Sequence, residues 1–199
     1  MRSTNTYPAP GVIWVVGYSG SGKTTIGSKL VSKMREKEIQ CVFLDGDELR
    51  SIFGHKWGYG REDRINLARV YFRLCHHLTS QGLTVIISAV AMYQEVYDWF
   101  KDYTPNGFMV FLDVPVEELH RRDAKTKKLY QMSSEMNQSY DRIIDPDMSI
   151  PNFGEVTPEN AAEQILNFFE SNATRHPSFL AKDRYWDDIY STTIGAMTP

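Results

Sequence analysis

Apolar residues along the chain fall into short unbroken runs, separated by longer stretches in which they recur at helical spacing. Gly11-Val-Ile-Trp-Val-Val16 contains no polar position and ends at Gly17. A run of that length without alternation predicts a strand buried on both faces, as in a parallel sheet. Ile26, Leu30, Val31 and Met34 then share one face of a predicted helix, with charges on the other. Cys41-Val-Phe-Leu44 is a second short strand, stopped by Asp45-Gly46-Asp47. A long helix is predicted from about Glu62 to Thr79, carrying Leu67, Tyr71, Leu74 and Leu78. Gln81-Gly82 ends it, and Thr84-Val-Ile-Ile87 is a third buried strand. A helix over Tyr93–Lys101 and the strand Phe108-Met-Val-Phe-Leu112 come next, and Pro115 opens another helix in its first turn. Thr157 as cap and Pro158 behind it start the last helix, with Ala162, Ile165, Leu166 and Phe169 inward.

Strands alternating with helices imply right-handed βαβ units, so the expected fold class is α/β, a three-layer αβα sandwich around a parallel sheet. Two segments depart from the alternation: residues 121–140, polar and rich in Lys and Ser, and the chain after about Ser171. The second is aromatic, with Phe179, Leu180, Tyr185, Trp186, Ile189 and Tyr190 among charges. Residues 1–170 are therefore expected to form one domain and residues 171–199 a tail docked on that domain or on a partner.

Composition narrows the classes. In 199 residues, 22 Lys+Arg stand against 25 Asp+Glu, a formal net charge of -3 that does not suit a dedicated nucleic-acid binder. No apolar run reaches the ~20 residues a membrane span needs, and the N-terminal segment lacks a cleavage pattern, so a cytoplasmic protein is expected. Cys41 and Cys75 cannot form a disulfide framework. His76 and His77 are adjacent on a helix, pointing about 100° apart, and make a poor metal pair.

The strongest chemical signal is Gly17-Tyr-Ser-Gly-Ser-Gly22-Lys23-Thr24, which satisfies G-x-x-x-x-G-K-[ST] between a buried strand and an amphipathic helix. Average residue usage produces that pattern at roughly one position in 30,000, so a ligand-free glycine turn is a weak competitor. Glycines let backbone N–H groups curl inward onto phosphate oxygens, and the helix N-terminus adds its positive end. Gly20, Ser21, Gly22, Lys23, Thr24 and Thr25 are the ATP-binding candidates. Lys23 would neutralise charge on the β- and γ-phosphates, and Thr24 would enter a Mg²⁺ shell.

Neither an Asn-Lys-x-Asp guanine motif nor an Asp-x-x-Gly switch occurs, and motors and helicases need more chain. The second strand instead runs into Leu44-Asp45-Gly46-Asp47-Glu48-Leu49-Arg50 at its carboxyl end, the edge at which open α/β sheets bind ligands. Two carboxylates there can orient an attacking hydroxyl and accept its proton, as a kinase requires. The plainer reading is an acidic turn capping a helix. Three classes stay open: a MgATP-dependent small-molecule kinase, a non-catalytic ATP-binding regulatory protein, and an interaction protein working through its aromatic tail.

GYSGSGKTT, LDGDELR, GYGREDR and RRDAK, in that order, resemble the adenylylsulfate (APS) kinase family of P-loop kinases, from about Gly11 to Phe169. Pro146–Asn152 and Thr157-Pro158-Glu159 resemble the family's last strand and helix. The resemblance implies a five-stranded P-loop fold with a mobile lid, a homodimer, and transfer of the ATP γ-phosphate to a ribose 3′-hydroxyl of a nucleotide-linked acceptor. It further implies Asp45 and Asp47 at metal and hydroxyl, Asp47 favoured as base and Asp45 reaching Mg²⁺ through water. Arg50 and Arg64 would hold the acceptor's charged group, Tyr59 would stack on its base, and Arg122 and Lys125 would belong to a lid over the phosphates.

The departures gather on the acceptor side. Ala91-Met92-Tyr93-Gln94 stands where the family has Ser-Pro-Tyr-Arg, and Leu67 replaces a substrate-binding asparagine. The lid Arg122-Asp-Ala-Lys-Thr-Lys-Lys-Leu-Tyr130 is two residues longer and lacks its glycine, and a Phe-Thr-Gly-Ile-Asp segment is missing. Two acceptors remain open: adenylyl sulfate itself, or a retargeted one such as cytidine diphosphoramidate. The insert His55-Lys56-Trp57-Gly58-Tyr59 is either an aromatic platform for the acceptor base or, through Trp57, a loop anchored in the core.

Overall fold

The structure is a computed structural model and describes residues 8–54, 57–104, 106–123, 140–141 and 145–173. Lys125, most of the expected lid, His55, Lys56 and the chain from Thr174 lie outside them. Among the described residues the order is β1 (Val12–Val16), α1 (Lys23–Glu36), β2 (Cys41–Asp45), α2 (Gly46–Ile52), α3 (Arg61–Ser80), β3 (Thr84–Ser88), α4 (Gln94–Tyr103), β4 (Gly107–Asp113), α5 (Val116–Asp123), β5 (Met148–Pro151) and α6 (Pro158–Asn172).

The five strands form one sheet in the order β2-β3-β1-β4-β5, every pair parallel. All five residues of β1 are buried, and they part alternately to the two faces. Val12, Trp14 and Val16 join Phe72 and Cys75 of α3 and Val96 and Phe100 of α4 in one core. Ile13 and Val15 join Ile26 and Leu30 of α1 and Ile165 and Phe169 of α6 in the other. That division is the three-layer α/β sandwich expected from the unbroken apolar runs. Among the described residues no helix is long and apolar enough to cross a membrane.

Trp14 is the largest side chain in the first core and is completely buried. Its ring meets Phe72 and Phe100 edge-on at 4.8 and 5.3 Å, contacts worth about 0.5–1.5 kcal/mol each beyond burial. The indole N–H is satisfied by the Ala89 carbonyl at 3.1 Å, so the loop after β3 is tied to the central strand. In the second core α1 and α6 run side by side, bridged at their rim by Lys29–Glu159, Lys33–Glu163 and Lys37–Glu170. Thr157 caps α6 by accepting from the Asn160 N–H at 3.1 Å, as its sequence predicts.

The short helix α2 was not foreshadowed by any apolar period. It forms because the Asp45 side chain accepts from the Asp47 N–H at 2.9 Å, the helix cap that the plainer reading of the acidic turn offered. This turn becomes one wall of the cleft.

Gly27 sets how closely α1 lies on β2, since a Cβ there would stand 2.4 Å from Phe43 Cε2. Alanine in a helix interior ordinarily gains up to ~1 kcal/mol over glycine, but overpacking costs about 1–3 kcal/mol and wins here. Gly27→Ala is expected to lower the urea midpoint at unchanged slope; a raised midpoint would show that Phe43 yields freely.

Candidate active site

The strand order reverses around β1, and the crevice outside the carboxyl ends of β1 and β3 is where such sheets take ligands. A cleft of about 1130 Å³ opens there, with the phosphate loop at one end and Tyr59 and Arg64 at the other.

The loop leaves β1 at Gly17 and enters α1 at Lys23. Gly20 and Gly22 have φ of 79° and 96°, left-handed values that a side chain resists. Gly22 has a second constraint, because a Cβ would stand 2.6 Å from Asn152 Nδ2. The loop closes on itself through Ser21 N–H to the Tyr18 carbonyl at 3.1 Å and Lys23 Nζ to the same carbonyl at 2.8 Å. Gly20, Gly22, Lys23, Thr24 and Thr25 line the cleft, whereas Ser21 is wholly buried beneath it.

Asp45, the last residue of β2, is buried and holds two elements at once. One carboxylate oxygen accepts from Thr24 Oγ1 at 2.7 Å and the other from the Asp47 N–H at 2.9 Å. Asp47 stands exposed in the first turn of α2 and lines the cleft beside it.

Arg50 and Arg64 both line the cleft at the end occupied by Tyr59. Arg50 Nη1 donates to the carbonyls of Trp57 and Gly58 at 3.0 and 3.1 Å, and Arg64 Nε to that of Tyr59 at 2.8 Å. Their guanidinium carbons lie 4.7 and 5.6 Å from the Tyr59 ring centre. Two like charges converging on one ring make this end strongly electropositive, an arrangement an anionic ligand would relieve. Tyr59 is 64% exposed, whereas Trp57 packs partly buried against the first core and does not line the cleft. Of the two rings expected to form a platform, only Tyr59 lines the cleft, and Trp57 packs on the core.

Arg122 lies at the other end, under the phosphate loop. Its Nη2 donates to the Asn152 carbonyl at 2.7 Å, its Nη1 to that of Gly20 at 3.4 Å and its Nε to Glu118 at 2.7 Å. Hydrogen bonds from Arg121 and then Arg122 hold Glu118 down to about 2, so it stays a carboxylate at any working pH.

Three residues of the site, Asn152, Tyr71 and Tyr140, are missed by reasoning from sequence. Asn152 comes just after β5, is buried, and donates from Nδ2 to the Ser21 carbonyl at 2.7 Å. Tyr71 sits at a helix position that reads as ordinary core, and Tyr140, beside the chain outside the described residues, bonds Arg64 through its hydroxyl. Only Asn152 had a signal, an amide just past a short strand facing the loop. Leu67 and Ala91, the departures in sequence, both line the cleft and present no polar atom there.

A phosphate loop at one end of the cleft and two arginines at the other suit a P-loop phosphotransferase acting on an alcohol group. The family model Adenylylsulphate kinase matches residues 9–150, and the chain belongs to that family. It is 36% identical to the cytidine diphosphoramidate kinase of Campylobacter jejuni subsp. jejuni, over 70% of this chain and 79% of the relative. The adenylyl-sulfate kinase of Gloeothece citriformis is 33% identical over 67% and 76%. The Mycobacterium tuberculosis APS kinase CysC, solved with AMPPNP and APS, superposes with a TM-score of 0.73 at 26% identity, covering 82% of this chain and 99% of that one.

Asn152→Ala removes the Ser21 contact and leaves the motif itself intact. ATP affinity, measured by calorimetry, is expected to fall about three- to tenfold with the fold retained, the scale of one lost hydrogen bond. An unchanged affinity would show that the loop holds its shape without this clamp.

Proposed function

We propose that the protein transfers the γ-phosphate of MgATP to a ribose 3′-hydroxyl of a nucleotide-linked acceptor, and that its acceptor is retargeted from adenylyl sulfate toward a cytidine diphosphoramidate-like molecule. The observation that carries this is the continuous cleft, in which the phosphate loop and two carboxylates adjoin Arg50 and Arg64, while Leu67 and Ala91 line it where the resembled family has an asparagine and a serine. The similarity to a cytidine diphosphoramidate kinase supports the same choice.

Lys23 and the loop amides bind the donor phosphates, and the Arg50 and Arg64 forks hold the acceptor's anionic group, with Tyr59 against its base. Asp47 orients the hydroxyl and takes its proton as the new O–P bond forms and the bond from the γ-phosphorus to the β–γ bridging oxygen breaks, leaving ADP. Thr24 Oγ1 and Asp45 Oδ2, 2.7 Å apart, are hard oxygen donors of the kind Mg²⁺ takes, so the residues present fit that ion, with Asp45 reaching it through water. Bound there, it would supply neutralisation of phosphate charge. Residues 1–170 act as the kinase domain with Arg122 and Lys125 at its lid, and residues 171–199 as a tail. A cytoplasmic homodimer completes the proposal, and a solution mass near twice 22.9 kDa would support it.

The deciding assay compares kcat/KM for cytidine diphosphoramidate and for adenylyl sulfate with MgATP. At least a tenfold preference for the cytidine compound is expected. The reverse preference would return the protein to sulfate activation, and transfer to neither would leave an ATP-binding protein without this activity. Lys23→Ala is expected to lower kcat at least a hundredfold while circular dichroism stays unchanged, the scale of removing one transition-state donor.

A further inference from the structure

We propose that Tyr71 is a positioning residue for phosphoryl transfer, its hydroxyl fixing the Gly46 peptide that joins Asp45 to Asp47 and so setting where the Asp47 carboxylate stands. The inference rests on the proposed kinase function, in which Asp47 meets the acceptor hydroxyl.

Tyr71 lies on α3 seven residues beyond Arg64, two helical turns along the same face, and both line the cleft. Its phenol donates to the Gly46 carbonyl at 3.0 Å across 25 residues of sequence. The ring is held in turn by Phe53, at the end of α2, stacked at 6.0 Å with 26° between planes. Tyr71 therefore touches both ends of α2, one through its ring and one through its oxygen.

The Gly46 peptide is confined from the opposite side as well. A Cβ on Gly46 would stand 2.9 Å from the Ser88 carbonyl and 3.2 Å from Ala89 Cα, so the turn already lies against the end of β3. Asp45 accepts from the N–H of the same peptide, that of Asp47, at 2.9 Å. The turn is thus pinned by β3 behind, by the Asp45 carboxylate on one side and by Tyr71 on the other. Of the three, only the tyrosine oxygen can be removed without altering the acidic motif or the sheet. Burial pushes this hydroxyl up to about 12, so it remains a neutral donor wherever the carboxylates are ionised.

Tyr71→Phe keeps the ring and deletes the donor. With MgATP and whichever of cytidine diphosphoramidate or adenylyl sulfate the wild type phosphorylates, kcat is expected to fall about five- to tenfold, with both KM values within twofold and the melting temperature unchanged. In an Asp47→Asn background the same change should cost nothing more, because the hydroxyl acts through Asp47. A wild-type kcat in Tyr71→Phe, or an equal loss in both backgrounds, overturns the proposal. One measurement needs no acceptor: hydrogen exchange at the Asp47 amide should quicken severalfold in Tyr71→Phe, and unchanged exchange also overturns it. A wild type that phosphorylates neither acceptor, with quickened exchange in the variant, overturns the functional reading and the catalytic part of this one while upholding the structural link.

Discussion

The Asp45 carboxylate joins two parts of the chain that the sheet alone would keep separate. β3 lies between β1 and β2, so the phosphate loop after one and the acidic helix after the other share no strand pairing. Asp45 spans that gap with one oxygen on Thr24 and the other on the Asp47 amide. A buried carboxylate with two donors is well satisfied and costs little, whereas the same group with one partner removed would be expensive. Because both oxygens are committed, the first turn of α1 and the first turn of α2 are fixed relative to each other. The spacing of the phosphate loop from the acidic turn derives from that single group.

From there the cleft can be followed outward in both directions. Beyond Lys23, Asn152 and Arg122 draw the phosphate loop toward the end of β5 and toward α5. On the acceptor side, α3 supplies Arg64, Leu67 and Tyr71 from one face, a polar, an apolar and an aromatic contact at three- and four-residue intervals. Leu67 and Ala91 make part of that wall apolar, while Arg50 and Arg64 keep it charged.

The core was readable because its signals are local. Unbroken apolar runs, helical spacing and the cap before α6 each lie within a dozen residues, and β1 to β4 appear within one or two residues of where the pattern places them. The phosphate loop was legible for the same reason, its chemistry being carried by consecutive backbone positions. α2 was legible only as an acidic turn able to cap a helix, because seven residues are too few to show a period. Trp57 is instructive in another way: a tryptophan in a glycine-flanked insert suits a ligand platform and a core anchor equally, and only its packing against the first core distinguishes them.

The sequence by itself determined the α/β class, the phosphate loop with Lys23 and Thr24, and the placing of Asp45, Asp47 and Arg50 at the carboxyl end of the second strand. Those features are set by spacing along the chain, where periodicity and backbone stereochemistry operate. Only the tertiary structure decided that Asn152 clamps Ser21 from 131 residues away, that Tyr71 reaches Gly46 from 25, and that Tyr59 rather than Trp57 faces the cleft. Such contacts depend on strand order and helix rotation, which set the distance between side chains that no sequence interval relates.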